Sequence, residues 1–159
     1  MNGMVVTAEL RPLPPLKGQQ AAASDPGAHV WLSASAGTGK TQVLSARVFR
    51  LLLSGVDPSA ILCLTFTKAG AAEMAHRINQ RLAAWVRMPE TELFGDLRAL
   101  GERGDPRQLA RARTLFAKVL DAPGGGIRVQ TIHGFCQSLL AAFPVEAGLT
   151  PGFRPLESR

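Results

Sequence analysis

The alternation of apolar and polar positions predicts strands and helices in turn along the chain. Short, almost continuous apolar runs are typical of strands in parallel sheets, and they occur in HVWLSA (29–34), AILCLTFT (60–67) and IRVQTIH (127–133). Apolar residues recur at helical spacing in KTQVLSARVFRLLLS (40–54), KAGAAEMAHRINQRLAAWV (68–86) and GFCQSLLAAF (134–143). This order predicts an α/β fold built on a parallel sheet with flanking helices.

Breaks between these elements coincide with glycine, proline and aspartate. Gly55 follows the first long helix at the position where a C-terminal stop is expected. The segment 90–121 has a helical but more polar pattern, and Gly101 with Gly104-Asp105-Pro106 divides it into two pieces. The sequence therefore predicts two shorter helices between the second and third strands.

Three regions follow from this pattern. Residues 1–18 contain Pro12, Pro14 and Pro15 and predict an extended or disordered leader. Residues 19–145 form the predicted domain, and residues 146–159 show no period. A chain of 159 residues, 46% of them hydrophobic, suffices for one domain with a core or for part of a larger domain.

The net positive charge of the chain gives only weak evidence about its binding partners. Eighteen Lys and Arg residues against twelve Asp and Glu residues give a formal net charge of +6, which suits an anionic partner such as nucleic acid or simply keeps a protein in solution. The arginines of the segment 90–121 allow a DNA-binding face, but a solvated helix surface is the favoured interpretation. They are Arg98, Arg103, Arg107, Arg111 and Arg113.

The cysteine pattern and the apolar runs argue against a metal site and against a membrane protein. Cys63 and Cys136 lie far apart, each inside an apolar run, and are expected to be buried, reduced thiols. The three histidines show no metal-ligand spacing. Neither a signal peptide nor a membrane-spanning run is present, and a cytoplasmic location is expected.

The clearest chemistry lies in ASAGTGKT, which stands between a predicted strand and a predicted helix, as a phosphate-binding loop does. Gly37 and Gly39 allow backbone N–H groups to approach phosphate oxygens, and the helix N-terminus attracts anions. Lys40 can reach the β- and γ-phosphates, and the Thr41 hydroxyl can ligate Mg²⁺. Binding is assigned to Ala34, Ser35, Ala36, Gly37, Thr38, Gly39, Lys40 and Thr41. A glycine-rich turn without a ligand is the alternative.

Three motifs in this order resemble those of superfamily 1 DNA helicases of the UvrD/RecB type. They are ASAGTGKT, with alanine in the first position, then LCLTFTKAGAAEMAHRI, then VQTIHGFCQSLL. Within that family they look most like the AddA components of bacterial AddAB helicase–nucleases, which repair double-strand breaks. The resemblance covers about residues 20–159. It implies a RecA-like P-loop fold, namely an incomplete motor domain 1A that ends at the entry to an inserted 1B domain.

The resemblance implies ATP and Mg²⁺ as cofactors and assigns residues to them. Gln20, or its neighbour Gln19, matches the glutamine with which this family reads adenine. Lys40 and Thr41 match the catalytic residues of the loop. Gln42 stands where many relatives have an arginine that contacts the nucleotide, so this contact remains open.

The same resemblance implies DNA contacts at the ends of the second and third predicted strands. In TFTK, these are Thr65, Phe66, Thr67 and Lys68; in TIH, they are Thr131 and His133. Hydroxyls and an ammonium suit phosphate, and an aromatic ring suits base stacking. The alternative places Phe66 in the core and makes Thr67 the N-cap of the next helix.

Other parts of the family's machinery do not occur in this sequence. No apolar strand ends in the Asp-Glu pair that positions Mg²⁺ and water for hydrolysis, and the nuclease motifs do not occur. The chain is therefore expected to be an N-terminal segment that is inactive alone, and the implied partner of the whole protein is an AddB-type subunit. An unrelated small P-loop kinase and a non-catalytic remnant that binds DNA are the alternatives.

Overall fold

The computed structural model describes residues 11–33, 35, 37 and 39–153. From residue 40 onwards the helices and strands follow the predicted order. They are α1 (Gln19–Ala23), α2 (Lys40–Ser54), β1 (Leu62–Thr65), α3 (Lys68–Arg87), α4 (Glu90–Ala99), α5 (Pro106–Asp121), β2 (Arg128–Thr131) and α6 (Ile132–Ala142). Short 3₁₀ turns, Pro58–Ala60 and Pro123–Gly125, precede the two strands.

The two strands pair in parallel, with α3, α4 and α5 forming the crossover between them. The register joins Leu62 to Arg128 at one end and Thr65 to Thr131 at the other. This confirms a mixed α/β fold with a small parallel sheet. The prediction that these strands are fully buried is only partly right, because the side chain of Leu64 is exposed while Cys63 packs against the core.

The predicted strand in HVWLSA is wrong for the described residues 29–33, which adopt no regular secondary structure. Trp31 is 93% exposed, and Val30 and Leu32 are also exposed. A parallel strand is held by hydrogen bonds to its neighbours, and within the described ranges the sheet contains β1 and β2 alone. An apolar run without a neighbouring strand therefore does not become part of the sheet.

The helix ends follow the local signals in the sequence. Gly55 ends α2 in the left-handed conformation (φ 102°), and its N–H donates to carbonyls of the last turn. Asp105 caps α5 by accepting a hydrogen bond from the Gln108 N–H at 2.9 Å, and Pro106 occupies the first turn. The division of the segment 90–121 into two helices is therefore confirmed.

The hydrophobic core lies among α2, α3, α4 and α5, on one face of the sheet. Within it the rings of Phe49 and Trp85 pack against each other, with their centroids 5.2 Å apart and their planes inclined by 51°. Its buried members are Ala46, Val48, Phe49, Leu52, Leu53, Ile61, Met74, Ile78, Leu82, Trp85, Leu93, Leu97, Leu100, Ala112, Leu115 and Val119. The core is thus formed by the crossover helices α3, α4 and α5 together with α2, the helix that follows the glycine-rich loop.

A buried ion pair lies at the edge of this core. Asp96 on α4 is 2% exposed and Arg81 on α3 is 8% exposed. The Asp96 Oδ2 atom accepts hydrogen bonds from Arg81 Nη1 at 3.0 Å and from the indole Nε1 of Trp85 at 2.8 Å. The Oδ1 atom accepts from the backbone N–H of Leu13 at 2.9 Å. Both carboxylate oxygens are therefore satisfied, as a buried charge requires.

Residues 11–17, called here the anchored segment, run along this cluster without regular secondary structure. Besides the Leu13 contact, Arg81 Nη2 donates to the carbonyl of Arg11 at 2.6 Å, and the N–H of Leu16 donates to the carbonyl of Ala99 at 3.0 Å. The part of the predicted leader that the structure describes is thus held against α3 and α4. Residues 1–10 of that leader lie outside the described residues.

Two arginines of α5 bind the C-terminal ends of other helices. Arg111 Nη1 donates to the Leu53 carbonyl at 2.7 Å, and Arg113 Nη1 donates to the carbonyls of Trp85 and Val86, each at 3.2 Å. A cation at a helix C-terminus satisfies carbonyls that lack intrahelical partners and complements the helix dipole. The side chains of Arg98, Arg103 and Arg107 are exposed, in keeping with a solvated surface.

The expectation of two buried thiols is wrong for Cys136, whose side chain is exposed on α6. None of the α6 side chains is buried, although the helix is strongly apolar, because the described core lies on the other helices. Cys63 is half-buried, and its burial raises the pKa of the thiol. Both cysteines are free.

Candidate functional site

The glycine-rich loop leads directly into α2, which begins at Lys40 as predicted. Gly39 is the N-cap, with φ 85° in the left-handed region that favours glycine, and no side chain caps the helix. The first turn contains no acidic residue. The N–H groups of this turn therefore face a position suited to an anion. Ala34, Ala36 and Thr38, which the sequence also assigns to the loop, lie outside the described residues.

The Lys40 side chain folds back across the loop. Its ammonium Nζ donates a hydrogen bond to the backbone carbonyl of Ser35 at 2.6 Å. This contact brings a positive charge beside Ser35, and the Thr41 side chain is exposed at the start of the same helix. The ammonium group of the lysine to which the sequence assigns phosphate binding is thus held by the backbone carbonyl of Ser35, five positions before it.

Gln20 lies beside this loop, although nineteen positions separate it from Gly39 in the sequence. A Cβ added at Gly39 would lie 3.4 Å from Gln20 Nε2 and 3.5 Å from Gln42 Oε1. The structure therefore brings both glutamine side chains to the helix N-terminus. Gln19 is exposed, and Gln42 Nε2 donates to the carbonyl of Pro14 at 3.1 Å, a contact with the anchored segment that the sequence does not indicate.

The short helix α1, which carries Gln20, is fixed to α2 by two arginines to which the sequence motifs assign no role. Arg50 Nη1 donates to the Ala21 carbonyl at 3.1 Å and to the buried Ser24 hydroxyl at 2.8 Å, and its Nε pairs with Glu102 at 3.0 Å. Arg47 Nη1 donates to the carbonyl of Ala23, the last residue of α1, at 3.4 Å, and its Nη2 donates to the carbonyl of Ala28, beyond that helix, at 2.6 Å. Their spacing of three on α2 places them on one helix face, which is the only sequence signal that indicates a shared partner.

The TFT and TIH motifs meet at the carboxyl edge of the sheet. Thr65 and Thr131 are register partners at the last position of β1 and β2. The carboxyl ends of parallel strands are where α/β proteins bind ligands. Two motifs that lie 66 positions apart in the sequence therefore occupy neighbouring places at one edge.

Both strand ends turn into a helix through the same capping contact. The Thr67 hydroxyl Oγ1 accepts from the Gly70 N–H at 3.0 Å, and the Thr131 Oγ1 accepts from the Gly134 N–H at 3.0 Å. Thr65 Oγ1 donates to the Thr67 carbonyl at 2.8 Å. The alternative assignment of Thr67 as an N-cap is confirmed.

Phe66 projects away from the core and is 88% exposed, so the alternative that places it in the core is wrong. The side chains of Lys68 and His133 at the starts of α3 and α6 are also exposed. An aromatic face, an ammonium group and an imidazole thus stand near two threonines at one edge. Such a combination suits the bases and phosphates of a nucleic-acid strand.

The described part of the chain shows no metal-binding cluster. Among its residues no group of three or more His, Cys, Asp or Glu side chains is arranged to hold a metal ion. Among those residues, too, none of the helices is long and apolar enough to cross a membrane.

Most of the chain is similar to known helicase sequences. The family profile described as UvrD/REP helicase N-terminal domain matches residues 16–159. The AddA chain of the ATP-dependent helicase/nuclease of Lactobacillus gasseri is 34% identical over 140 residues, covering 88% of this chain and 10% of that protein. Its counterpart in Latilactobacillus sakei is 34% identical, covering 87% and 13%, and that of Bacillus pumilus is 34% identical, covering 80% and 9%. The chain spans about one tenth of the length of these curated relatives.

Proposed function

The chain belongs to the UvrD/REP helicase N-terminal domain family, and on this premise we propose that it supplies the ATP-binding and first DNA-binding segments of an ATP-dependent DNA helicase. The relatives that it resembles are named as components of ATP-dependent helicase/nucleases. The RecA-like P-loop fold, of which the chain contributes the first part of motor domain 1A, belongs to this proposal.

Nucleotide binding is assigned to the N-terminus of α2 and the residues around it. The fit rests on the uncapped first turn, the left-handed Gly39 and the Lys40 ammonium held at the Ser35 carbonyl. Lys40 would pair with the terminal phosphates, Thr41 would ligate Mg²⁺, and Gln20 would recognise the adenine edge. Bound Mg²⁺ neutralises the charge that develops on the phosphates during transfer. The segment before Gly39, including Ala34, Ala36 and Thr38, completes the proposed loop.

Single-stranded DNA binding is assigned to the shared edge of β1 and β2. The observation that carries this assignment is the register pair Thr65 and Thr131, which joins the TFT and TIH motifs. Phe66 would stack on a base, Lys68 would pair with a phosphate, and His133 with the threonine hydroxyls would contact the backbone. An unrelated P-loop kinase would need neither the TFT nor the TIH motif. The presence of both motifs and the membership of the chain in a helicase family therefore favour a helicase over a kinase.

Removing the Phe66 ring will weaken single-strand binding. Stacking on one aromatic side chain contributes about 1–3 kcal/mol per base, so Phe66→Ala is expected to lower affinity for a fluorescein-labelled oligothymidine by about five- to a hundredfold in fluorescence anisotropy. Because the ring is 88% exposed, the fold is expected to remain intact. Equal affinities of the variant and the wild-type chain would refute the proposed stacking role.

Phe143→Ala provides the matched control for that measurement. Phe143 is an exposed phenylalanine at 55%, and it lies at the C-terminal end of α6, away from Thr131 at the other end. The same substitution there removes the same ring from outside the proposed edge. Single-strand affinity should therefore stay at the wild-type value, and an equal loss in both variants would show general apolar binding instead of a defined site.

The biological setting extends the same proposal. The whole protein would use ATP to move along DNA in double-strand break repair, together with an AddB-type subunit, in the cytoplasm. Hydrolysis requires the carboxylates that position Mg²⁺ and water, and in this proposal another part of the helicase supplies them. The role of the present chain is to hold the nucleotide and to guide the strand.

A further inference from the structure

We infer that the anchored segment, residues 11–17, sets the orientation of the Gln20 side-chain amide, and that Asp96 is a positioning residue for selection of the nucleotide base. The inference rests on the proposed function, in which Gln20 recognises adenine. To that proposal the inference adds a role for the buried carboxylate of Asp96 on α4, which is connected to the Gln20 amide through the contacts of the anchored segment.

The first link joins the core to the anchored segment. Asp96 Oδ1 accepts from the Leu13 N–H at 2.9 Å, while the Arg81 guanidinium holds the Arg11 carbonyl at 2.6 Å. The ion pair between Asp96 and Arg81 is almost fully buried. A buried, fully hydrogen-bonded group has few alternative arrangements, so it fixes the backbone that it contacts.

The second link fixes the middle of the segment on two sides. The Leu16 N–H donates to the carbonyl of Ala99, at the end of α4, at 3.0 Å. The Pro14 carbonyl accepts from Gln42 Nε2, on α2, at 3.1 Å. The segment therefore bridges α4 and the helix that begins at the phosphate loop, and its course depends on both.

The last link determines which end of the Gln20 amide faces which way. The Lys17 N–H donates to Gln20 Oε1 at 3.2 Å, which leaves Nε2 on the side of Gly39, 3.4 Å from the position of an added Cβ. A side-chain amide has one accepting and one donating end. If the Lys17 N–H were moved, the amide would lose the contact that distinguishes its two orientations.

This orientation matters for the choice between adenine and guanine. Adenine presents an amino donor at C6 and an acceptor at N7, whereas guanine presents acceptors at both O6 and N7. Gln20 Oε1 keeps a second lone pair beside the one that the Lys17 N–H occupies. In this fixed orientation Oε1 can accept from the C6 amino group of adenine while Nε2 donates to N7, whereas the O6 atom of guanine would face Oε1 and be repelled. An amide that turns over freely can donate to O6, so discrimination against guanine falls.

Asp96→Asn tests the first link without emptying the core. The Oδ2 position receives two donors and the Oδ1 position receives one. The amide oxygen will therefore occupy the two-donor position, and its NH₂ group will face the Leu13 N–H, where two donors repel each other. This change releases the anchored segment and keeps most of the buried contacts.

Lys17→Pro tests the last link independently, because proline removes the N–H that binds Gln20. Lys17→Ala is the matched control, since it removes the same side chain and keeps the N–H group. The side chain of Lys17 is exposed, so its loss in either variant uncovers no core surface. If Asp96→Asn does not fold, the Lys17 pair decides the question alone.

Isothermal titration of the chain with Mg·ATP and with Mg·GTP gives the ratio of the two dissociation constants. We expect Asp96→Asn and Lys17→Pro to reduce the preference for ATP about three- to tenfold, the usual effect of one hydrogen bond, and Lys17→Ala to leave it unchanged. If Asp96 had a purely structural role, its substitution would weaken the binding of Mg·ATP and of Mg·GTP equally. An unchanged ratio of the two dissociation constants in Lys17→Pro would overturn the inference. A wild-type chain that binds neither nucleotide would instead refute the proposed function on which it rests.

Discussion

Replacing Asp96 with alanine will lower the free energy of unfolding by about 3–5 kcal/mol, the usual cost of breaking a buried ion pair from one side. The substitution leaves the Arg81 guanidinium buried without its counter-charge and removes the acceptor of the Trp85 indole N–H. It also releases the Leu13 N–H of the anchored segment. Urea denaturation followed by far-UV circular dichroism measures the loss as a shift of the midpoint.

Glu92→Ala is the control for that experiment. Glu92 is another acidic residue of α4, exposed in the first turn, where its interaction with the helix dipole contributes about 0.3–1 kcal/mol. The two substitutions thus remove the same charge from one helix in buried and exposed surroundings. Equal small losses for both variants would contradict the description of Asp96 as the buried anchor of α3, α4 and the segment 11–17.

The parts of the fold that the sequence predicts correctly depend on local chemistry. Gly55 ends α2, Thr67 caps α3 as the alternative assignment has it, and the break at Gly104-Asp105-Pro106 separates α4 from α5. Each signal acts within one turn of its own helix. The segment at Val30–Ser33 has the composition of a strand, but strand formation depends on a neighbour elsewhere in the chain. Periodicity alone therefore does not decide whether such a run joins the sheet.

Buried polar contacts, too, cannot be predicted from local sequence, because their partners lie elsewhere in the chain. Asp96 lies in a polar helical pattern that indicates a solvated surface, yet its partners come from α3 and from a segment 83 positions away. Arg47 and Arg50 likewise have the sequence pattern of surface residues on α2, but their guanidinium groups bind carbonyls of α1. In each case burial results from tertiary packing, which leaves no mark on the residue's own neighbours in the sequence.

The sequence predicts those parts of the candidate site that belong to recognisable motifs. The glycine-rich loop and its helix are indicated by local pattern, and their resemblance to a helicase family supplies the proposed roles of Gln20, Thr65 and Thr131. The proximity of Gln20 to Gly39 and the pairing of Thr65 with Thr131 are geometric facts that the structure adds. The anchored segment contacts both α4 and Gln42, whereas its proline-rich sequence predicts only an extended or disordered leader.

Replacing Lys40 with alanine will remove most of the affinity of the chain for Mg·ATP. The ammonium group is the charge that the loop holds at the Ser35 carbonyl, and truncating one partner of a charged contact costs about 2–5 kcal/mol, or roughly thirtyfold and more in affinity. DNA binding is expected to persist, because the proposed edge is formed by other elements. Lys68→Ala should give the opposite result, with weaker single-strand binding and unchanged nucleotide affinity.

The assignment of the glycine-rich loop as an ATP site can be tested by isothermal titration of Mg·ATP into the wild-type chain and the Lys40→Ala variant. Both chains are titrated under the same conditions, after they have given matching circular dichroism spectra. We expect saturable binding of one nucleotide by the wild-type chain and a loss of at least about thirtyfold in the variant. Equal binding by both chains, or no binding by a folded wild-type chain, would contradict the assignment.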